Sequence, residues 1–378
     1  MQGCRAFLSR VRRKLDVTEG EFTLLRNRFG RLIAGTAASA MLFAVAACGG
    51  DDTEAAPSGA PAASSSAPAA ASAKVGLAYD IGGRGDQSFN DSAAAGLDKA
   101  KAELGVEVNE LEAANGETDA QKEERLRLLA TGGFNPIIAV GFAYSGAITK
   151  VAKEFPEIKF AIVDDAAEGA NISNLVFAEE QGSFLVGVAA ALKSTKNSVG
   201  FVGGVDVPLI HKFEAGFEAG AKAVKPDIKL QKKYLTQPPD FSGFGDPAKG
   251  KTAAEGMFDA GADVVYQAAG GSGAGVFEAA KAAGGMAIGV DSDQAKTADP
   301  TVADVIITSM LKKVDVAVFD FIKNFTANTV KPGITVYDLK AGGVDYSITG
   351  GKIDDIKAQI DEFKNKVISG EITVPTGA

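Results

Sequence analysis

Short apolar runs alternate with amphipathic segments along most of the chain from residue 74 onward. The apolar runs are typical of buried strands, and the segments between them space their apolar residues as helices do. The runs predicted as strands read KVGLAY, VEVNEL, NPIIAVGF, IKFAIVD, NSVGFVGG, DIKLQKKY, ADVVYQAA and GMAIGVD. Strands that alternate with helices in this way predict doubly wound parallel sheets with helices on both faces. We therefore expect an α/β protein.

The two halves of this region share a spacing. Asp164 and Asp291 end matching predicted strands and lie 127 positions apart, as do Ser145 and Ser272 at the start of matching helices. A constant offset across a strand, a loop and a helix predicts two similar lobes that face each other. Coincidence in a chain rich in alanine and glycine is the alternative.

The region before residue 74 has a different pattern. Residues 32–47 are uncharged, follow basic residues and end in small ones, which is typical of a secretory signal; a membrane span needs about 20 apolar residues. The ending VAAC resembles a bacterial lipobox, so we expect residues 1–47 to be removed and Cys48 to carry a lipid. A signal cut at an ordinary site and a retained membrane anchor are the alternatives. The first 27 residues are long for such a signal, which suggests a later true start.

A segment rich in alanine, serine, proline and glycine follows the predicted lipidation site. It has almost no large apolar side chain, so it cannot bury enough surface to offset the entropy of ordering. We predict that residues 48–73 form a flexible tether to the folded region.

Composition argues against several classes of function. The formal net charge is −9, whereas contacts with nucleic-acid phosphates need clustered cations. Both cysteines, Cys4 and Cys48, precede the folded region, so we expect no disulfide framework and no catalytic thiolate there. The single histidine, His211, leaves no basis for a histidine metal cluster or for serine-histidine catalysis. We expect no cofactor, no metal and no enzymatic activity.

Candidate binding residues lie where the predicted strands end. In open parallel sheets, ligands bind beyond the carboxyl ends of the strands. Phe89, in the first strand-to-helix loop, should therefore face a cleft between the lobes and offer a stacking surface. A hydrophobic contact at the start of a helix is the alternative for Phe89. The residues at the strand ends are Asp80, Gly141, Asp164, Gly203, Gly270 and Asp291.

One segment imitates a nucleotide-binding motif. Residues 245–252 read GDPAKGKT, which matches the phosphate-binding P-loop pattern. A working P-loop joins a strand directly to its helix, whereas PPDFSGF intervenes here and Pro247 suits the first turn of a helix. We expect no NTPase activity.

The stretch DQSFN at residues 86–90, preceded by Asp80, resembles the opening motif of the basic membrane protein family. These are lipid-anchored substrate-binding proteins of ABC importers, similar to purine nucleoside receptors. The resemblance implies a type 1 periplasmic-binding-protein fold with three crossovers between two lobes. It covers the chain from residue 74 and extends through EEQGSFLVGVAA, VGFVGGVDVPLIHKFEAGFEAGAK, FGDPAKGK and VVYQAAGGSGAG.

The resemblance also implies limits for the lobes. Lobe one would contain residues 74–195 and about 304–328. Lobe two would contain residues 196–303 and about 329–378.

The strand-end positions and the resemblance together predict a set of ligand-binding residues. The resemblance makes Phe244 the second stacking wall opposite Phe89, with Phe213 as a competitor from the internal repeat. Lys312 would donate to a ligand hydroxyl, unless it is a solvated charge, and Asp291 would accept from ribose hydroxyls, unless it caps a turn. The full set is Asp80, Ser88, Phe89, Asn90, Ser145, Asp164, Phe213, Phe244, Gly270, Asp291 and Lys312.

The expected protein is a monomeric receptor held by its lipid at the extracytoplasmic face of the cell membrane. It would capture a nucleoside, most simply a purine nucleoside, and deliver it to an ABC permease. A simple-sugar receptor, a sensor without a transporter and a nucleoside-processing enzyme are the alternatives.

Overall fold

The structure, a computed structural model, describes residues 72–114 and 116–377. The predicted signal peptide, Cys48 and almost all of the tether lie outside the described residues. None of the described helices is long and apolar enough to cross a bilayer.

Two six-stranded sheets organise the described region. The first sheet contains β1 (Lys74–Ala78), β2 (Glu107–Leu111), β3 (Ile137–Ala139), β4 (Phe160–Val163), β5 (Ile172–Phe177) and β11 (Gly333–Tyr337). The second sheet contains β6 (Ser198–Val205), β7 (Lys229–Thr236), β8 (Val264–Ala268), β9 (Met286–Asp291), β10 (Ile306–Lys312) and β12 (Val344–Tyr346). The helices are α1 (Phe89–Leu104), α2 (Asp119–Thr131), α3 (Ser145–Glu154), α4 (Glu179–Lys193), α5 (Pro208–Val224), α6 (Pro247–Asp259), α7 (Gly273–Ala283), α8 (Gln294–Thr297), α9 (Val314–Thr326) and α10 (Lys357–Ser369).

The two sheets have the same strand order. The first runs β11-β5-β4-β3-β1-β2 and the second runs β12-β10-β9-β8-β6-β7. Neighbouring strands in both sheets are parallel, except that β12 is antiparallel to β10. We call the first sheet and the helices packed on it lobe one, and the second sheet and its helices lobe two. The prediction of an α/β fold with two doubly wound lobes is confirmed.

The described chain passes between the lobes three times. After β5 in lobe one, α4 packs against α5 in lobe two, and after β10 in lobe two, α9 packs against α1 in lobe one. The third passage joins β11 to β12.

The structure corrects three parts of the expected lobe limits. Helix α4 was expected in lobe one but packs in lobe two, and β10 was expected in lobe one but pairs with β9. Strand β11 was expected in lobe two but pairs with β5. An apolar run predicts a strand, but it carries no information on which sheet the strand joins.

Glycines allow α4 and α5 to pack unusually closely. A Cβ atom added at Gly220 of α5 would meet the backbone carbonyl of Phe184 in α4, and one at Gly187 would meet the carbonyl of Phe217. Backbone atoms cannot move aside as a flexible side chain can. The close contact therefore requires glycine, and it joins the helix of the first crossover firmly to lobe two.

We expect Gly220→Ala to lower the free energy of unfolding by roughly 1–3 kcal/mol, the usual cost of overpacking. The matched control is Gly256→Ala in α6, where an added Cβ atom meets nothing within 4 Å. That control should stabilise the helix by about 0.5–1 kcal/mol. Urea denaturation of both variants measures the difference, and equal effects would contradict the close-packing explanation.

Candidate functional site

A cavity lies between the two lobes, at the carboxyl ends of their strands. Its empty space amounts to about 550 Å³, part of which is open to solvent. Nine of the predicted site residues line it: Asp80, Phe89, Asn90, Asp164, Phe213, Phe244, Gly270, Asp291 and Lys312.

Two predicted site residues do not line the cavity. Ser88 is fully buried behind the wall and donates its hydroxyl hydrogen bond to Asp291 Oδ2 at 2.6 Å. Ser145 begins α3 after a short 3₁₀ turn at Phe142–Tyr144, and this turn directs Phe142 to the cavity instead.

The sequence reasoning missed Phe142, Ile81 and Asp86, which all line the cavity. The signal for Phe142 was its position directly after the strand-end glycine of NPIIAVG. Asp86 lies inside the DQSFN stretch, but only the residues that follow it were selected.

The loop between β1 and α1 is fixed by the side chains of Asp86 and Asn90. Asp86 accepts hydrogen bonds from the backbone N–H groups of residues 88, 90 and 91 and from the Asn90 amide, at 2.9–3.1 Å. Asn90 Oδ1 in turn accepts from the backbone N–H of Asp80 at 3.1 Å. These bonds satisfy free N–H groups at the start of α1 and hold Phe89 at the cavity wall. Burial raises the pKa of the Asp86 carboxyl to about 6.

Lys312 is the centre of a buried ion cluster. Its side chain is 1% exposed, and its Nζ atom lies 2.5 Å from Asp164 Oδ2 and 3.2 Å from Glu179 Oε1. The contact with Asp164 is a hydrogen bond, whereas the contact with Glu179 lacks hydrogen-bond geometry. The carboxylates of Asp164, Glu179 and Asp291 raise the pKa of Lys312 against the effect of burial. This placement rules out the alternative that Lys312 is a solvated surface charge.

Aromatic rings surround the same ammonium group. The Lys312 Nζ atom lies 5.1 Å from the ring centroids of Phe89 and Phe177 and 5.4 Å from that of Phe213. These distances fall within the range of cation–π attraction. The rings therefore help to hold the charge in a fixed position on the cavity wall.

Two aspartates occupy equivalent positions in the two lobes. Asp164 follows β4 with φ 72° and Asp291 ends β9 with φ 61°, a left-handed conformation that is uncommon for residues other than glycine. Burial raises the pKa of both carboxyls. Asp164 Oδ1 is buried and has no hydrogen-bond partner among the described residues, and a buried acceptor of this kind normally has one.

Acceptor groups outnumber donor groups on the cavity wall. The carboxyls of Asp80, Asp86, Asp164 and Asp291 line it, with Lys312 as the one cation among its wall residues. Burial raises the pKa of Asp80 to about 6. Such a wall favours a neutral ligand with several N–H or O–H donors and disfavours an anion.

Three phenylalanines meet across the cleft, away from the ion cluster. Phe142 of lobe one contacts Phe241 and Phe244 of lobe two edge-on, with ring centroids 6.0 and 6.5 Å apart. Phe142 and Phe244 line the cavity, whereas Phe241 packs outside it. A planar ligand would find aromatic surface on both lobes.

The segment that resembles a P-loop, residues 245–252, forms no phosphate site. Strand β7 ends at Thr236 and α6 begins at Pro247, so no strand leads directly into the helix. The Asp246 carboxylate accepts from the backbone N–H of Lys249 at 3.0 Å and covers the helix start that a phosphate would need. Over the described residues, no group of three or more His, Cys, Asp or Glu side chains could hold a metal ion.

Two lobes joined by three passages, with a cavity between them at the ends of their strands, define the class of type 1 periplasmic solute-binding proteins. Residues 73–377 match the family model described as Bmp, ABC transporter substrate-binding protein PnrA-like, and the chain belongs to this family. The sequence-based resemblance is confirmed. The family consists of substrate-binding proteins of ABC transporters, so the protein is not an enzyme.

Individual relatives agree with this assignment. The ABC transporter nucleoside-binding protein BmpA of Lactococcus lactis is 35% identical over 80% of this chain and 89% of its own length. An uncharacterized lipoprotein of Pyrococcus abyssi is 34% identical over 72% of this chain and 68% of its own. The solved structure of an ABC transporter solute-binding protein from Aeropyrum pernix is 31% identical, with a TM-score of 0.70, over 80% of this chain and 93% of its own.

Proposed function

We propose that the protein captures a purine nucleoside in the interlobe cavity and delivers it to an ABC importer. The observation that carries this proposal is the combination of aromatic surfaces on both lobes with an acidic wall that holds one ammonium group. A nucleoside has a planar base that can stack, and its ribose and base edge carry the donors that the carboxylates need. The name of the Lactococcus relative supports the same ligand class.

Mass spectrometry of ligand released from the purified, denatured protein tests this proposal. Titration calorimetry should then detect binding of guanosine, inosine or adenosine. Ribose and glucose test the alternative of a simple-sugar receptor. Guanosine 5′-monophosphate is the matched control, because its phosphate would add negative charge beside several carboxylates. Binding of ribose without binding of any nucleoside would replace the proposal by a sugar receptor.

The base is proposed to stack between Phe89 and Phe244. Phe213 is less suited to the second wall, because it is only 3% exposed and offers a ligand little ring surface. Phe244 is half-buried and contacts Phe142 across the cleft.

Phe89→Ala is expected to weaken guanosine binding about 10- to 100-fold, since stacking on a base contributes roughly 1–3 kcal/mol. Phe244→Ala should have a similar effect, and Phe213→Ala a smaller effect on binding with a larger one on stability. Calorimetry and thermal unfolding of the three variants make the comparison. Wild-type affinity in Phe89→Ala would remove Phe89 from the site.

A lipid on Cys48 is proposed to hold the monomeric protein at the extracytoplasmic face of the cell membrane. The lipobox-like sequence VAAC and the existence of a lipoprotein relative support this. Cys48→Ser should move the protein from the membrane fraction to the soluble fraction. Retention of that variant in the membrane fraction would favour an uncleaved anchor instead.

A further inference from the structure

Two backbone carbonyls of lobe one accept hydrogen bonds from lobe two outside the cavity wall. Ser292 Oγ donates to the carbonyl of Ser88 at 3.0 Å, and Gln294 Nε2 donates to the carbonyl of Gln87 at 3.0 Å. Thr297 Oγ1 lies 3.5 Å from the same Gln87 carbonyl. We call these five residues the interlobe latch.

On the lobe one side of the latch, the backbone is held by hydrogen bonds within lobe one itself. Gln87 has φ 56°, a left-handed conformation that turns the chain sharply. Its N–H donates to Asp91 Oδ2 at 3.0 Å, and the N–H of Ser88 donates to Asp86 Oδ1 at 2.9 Å. These bonds within lobe one fix the direction of the two carbonyls; the Ser88 carbonyl also accepts from the N–H of Ser92 at 3.1 Å, so the bond from Ser292 is its second.

The lobe two side is equally constrained, through Gln294. This residue is 2% exposed, and its Oε1 accepts from the N–H of Val290 and from Gln267 Nε2, both at 2.8 Å. With Oε1 occupied in this way, Nε2 is directed toward the Gln87 carbonyl. Val290 precedes Asp291, so one side chain fixes both the strand end that carries Asp291 and the loop that leads to Phe89.

We propose that the interlobe latch stabilises the closed form of the protein, in which the two lobes touch across the cavity. Gln294 is then a positioning residue that sets how long a ligand stays bound. The claim about how long a ligand stays bound rests on the proposed function, since its test uses a nucleoside. The latch side chains of lobe two are absent from the cavity wall, so they would act on closure rather than through contact with the ligand. A ligand that favours the closed form is held longer when closure itself is more stable.

Stopped-flow binding of guanosine to Ser292→Ala, and to Ser292→Ala combined with Thr297→Val, tests the proposal. Each lost hydrogen bond should raise the dissociation rate roughly 2- to 12-fold. The association rate should stay constant or rise, because a more open cleft admits the ligand more readily. Ser369→Ala is the matched control, because that hydroxyl also donates to a backbone carbonyl but lies in α10. Gln294→Met should have the largest effect, although the Ser292 variant is the decisive one because it leaves the buried amide network intact.

A purely structural role would lower the thermal stability of the variants without changing the dissociation rate, and this result would overturn the proposal. Small-angle X-ray scattering of the ligand-free proteins supplies a readout that needs no nucleoside. The variants should be more open than the wild type, with a larger radius of gyration. If the wild type fails to bind guanosine, the proposed function fails, and the scattering comparison still decides the latch. Equal radii for wild type and variants would refute it.

Discussion

Lys312→Met should lower the free energy of unfolding by about 3–5 kcal/mol at neutral pH, the usual cost of breaking a buried ion pair. Methionine has a similar length but no charge, so Asp164 and Glu179 would be left without their ammonium partner at 5% and 1% exposure. Nucleoside affinity should also fall, by roughly 10- to 100-fold, because a charged donor leaves the cavity wall. Urea denaturation and calorimetry measure the two effects separately.

The stability loss in Lys312→Met should depend on pH. Burial raises the pKa of the Asp164 carboxyl above its unfolded value, so proton uptake favours the folded state. This contribution is fully present below the unfolded pKa of about 4 and is lost as pH rises through the folded pKa. Removing the ammonium raises the folded pKa further, so the gap between variant and wild type should narrow as pH falls from about 8 toward 5.

Lys313→Met is the matched control, because it makes the same substitution one residue later at a half-buried side chain. No ion pair of Lys313 occurs in the described part of the chain. We expect little change in stability or affinity. If both variants behave alike at every pH, the ion cluster has no special role.

Asp291→Ala should weaken the binding of inosine and guanosine by about 1.5–3 kcal/mol, the contribution of hydrogen bonds to a charged group. Asp291 does not cap the following turn in the described structure: its Oδ2 accepts from Ser88 of the opposite lobe at 2.6 Å. Its second oxygen has no hydrogen bond within the described residues, and a carboxylate can accept two vicinal hydroxyls. A 2′,3′-dideoxynucleoside should bind the wild type poorly and lose little more in the variant.

Ser88→Ala separates the ligand role from the contact between lobes. It removes the partner of Asp291 but keeps the carboxylate, so ribonucleosides and dideoxynucleosides should lose similar, smaller amounts of affinity. Calorimetry with both ligands on both variants completes the comparison. Equal losses for the two ligands in Asp291→Ala would show that Asp291 only supports the fold.

The periodic pattern predicted β1–β4 and β6–β9, because alternation is encoded in neighbouring residues, and a constant offset of 127 positions predicted the repeat of the two lobes. Strands β5, β11 and β12 were not among the predicted strands. The pattern could not assign β10 to its sheet, since a run such as VIITSM fits the edge of either one. That choice depends on pairing with β9, whose apolar residues resemble those of β4. Lobe membership is therefore a property of the assembled sheets.

The site residues that could be predicted from the sequence are those at the carboxyl ends of strands. Asp164, Asp291 and Lys312 were found in this way, whereas Ser145 was misplaced because a 3₁₀ turn before α3 brings Phe142 forward. Phe89, the first residue of α1, was located by the loop that precedes it, but nothing in the sequence indicated that Asp86 would hold that loop.

Contacts between distant residues could not be predicted. Gln87 and Gln294 are 207 positions apart, and although Gln87 belongs to the DQSFN motif, nothing in that motif points to Gln294. Only the folded chain shows that the amide of one meets the carbonyl of the other.

The shared strand order also gives matching residues of the two lobes corresponding places around the cavity, and the ammonium of Lys312 lies between two such matched pairs. Phe89 and Phe213 flank its ammonium at nearly equal distances, and Asp164 and Asp291 form a second matched pair. A fully symmetric cavity would accept a molecule equally well in either of two orientations. The matching strands β5 and β10, however, end in different residues, Phe177 and Lys312. Together with Asp80 and Asp86, which line the cavity from lobe one, this difference gives the two halves of the cavity different chemistry. A bound molecule then has one preferred direction and presents the same end to the same lobe each time.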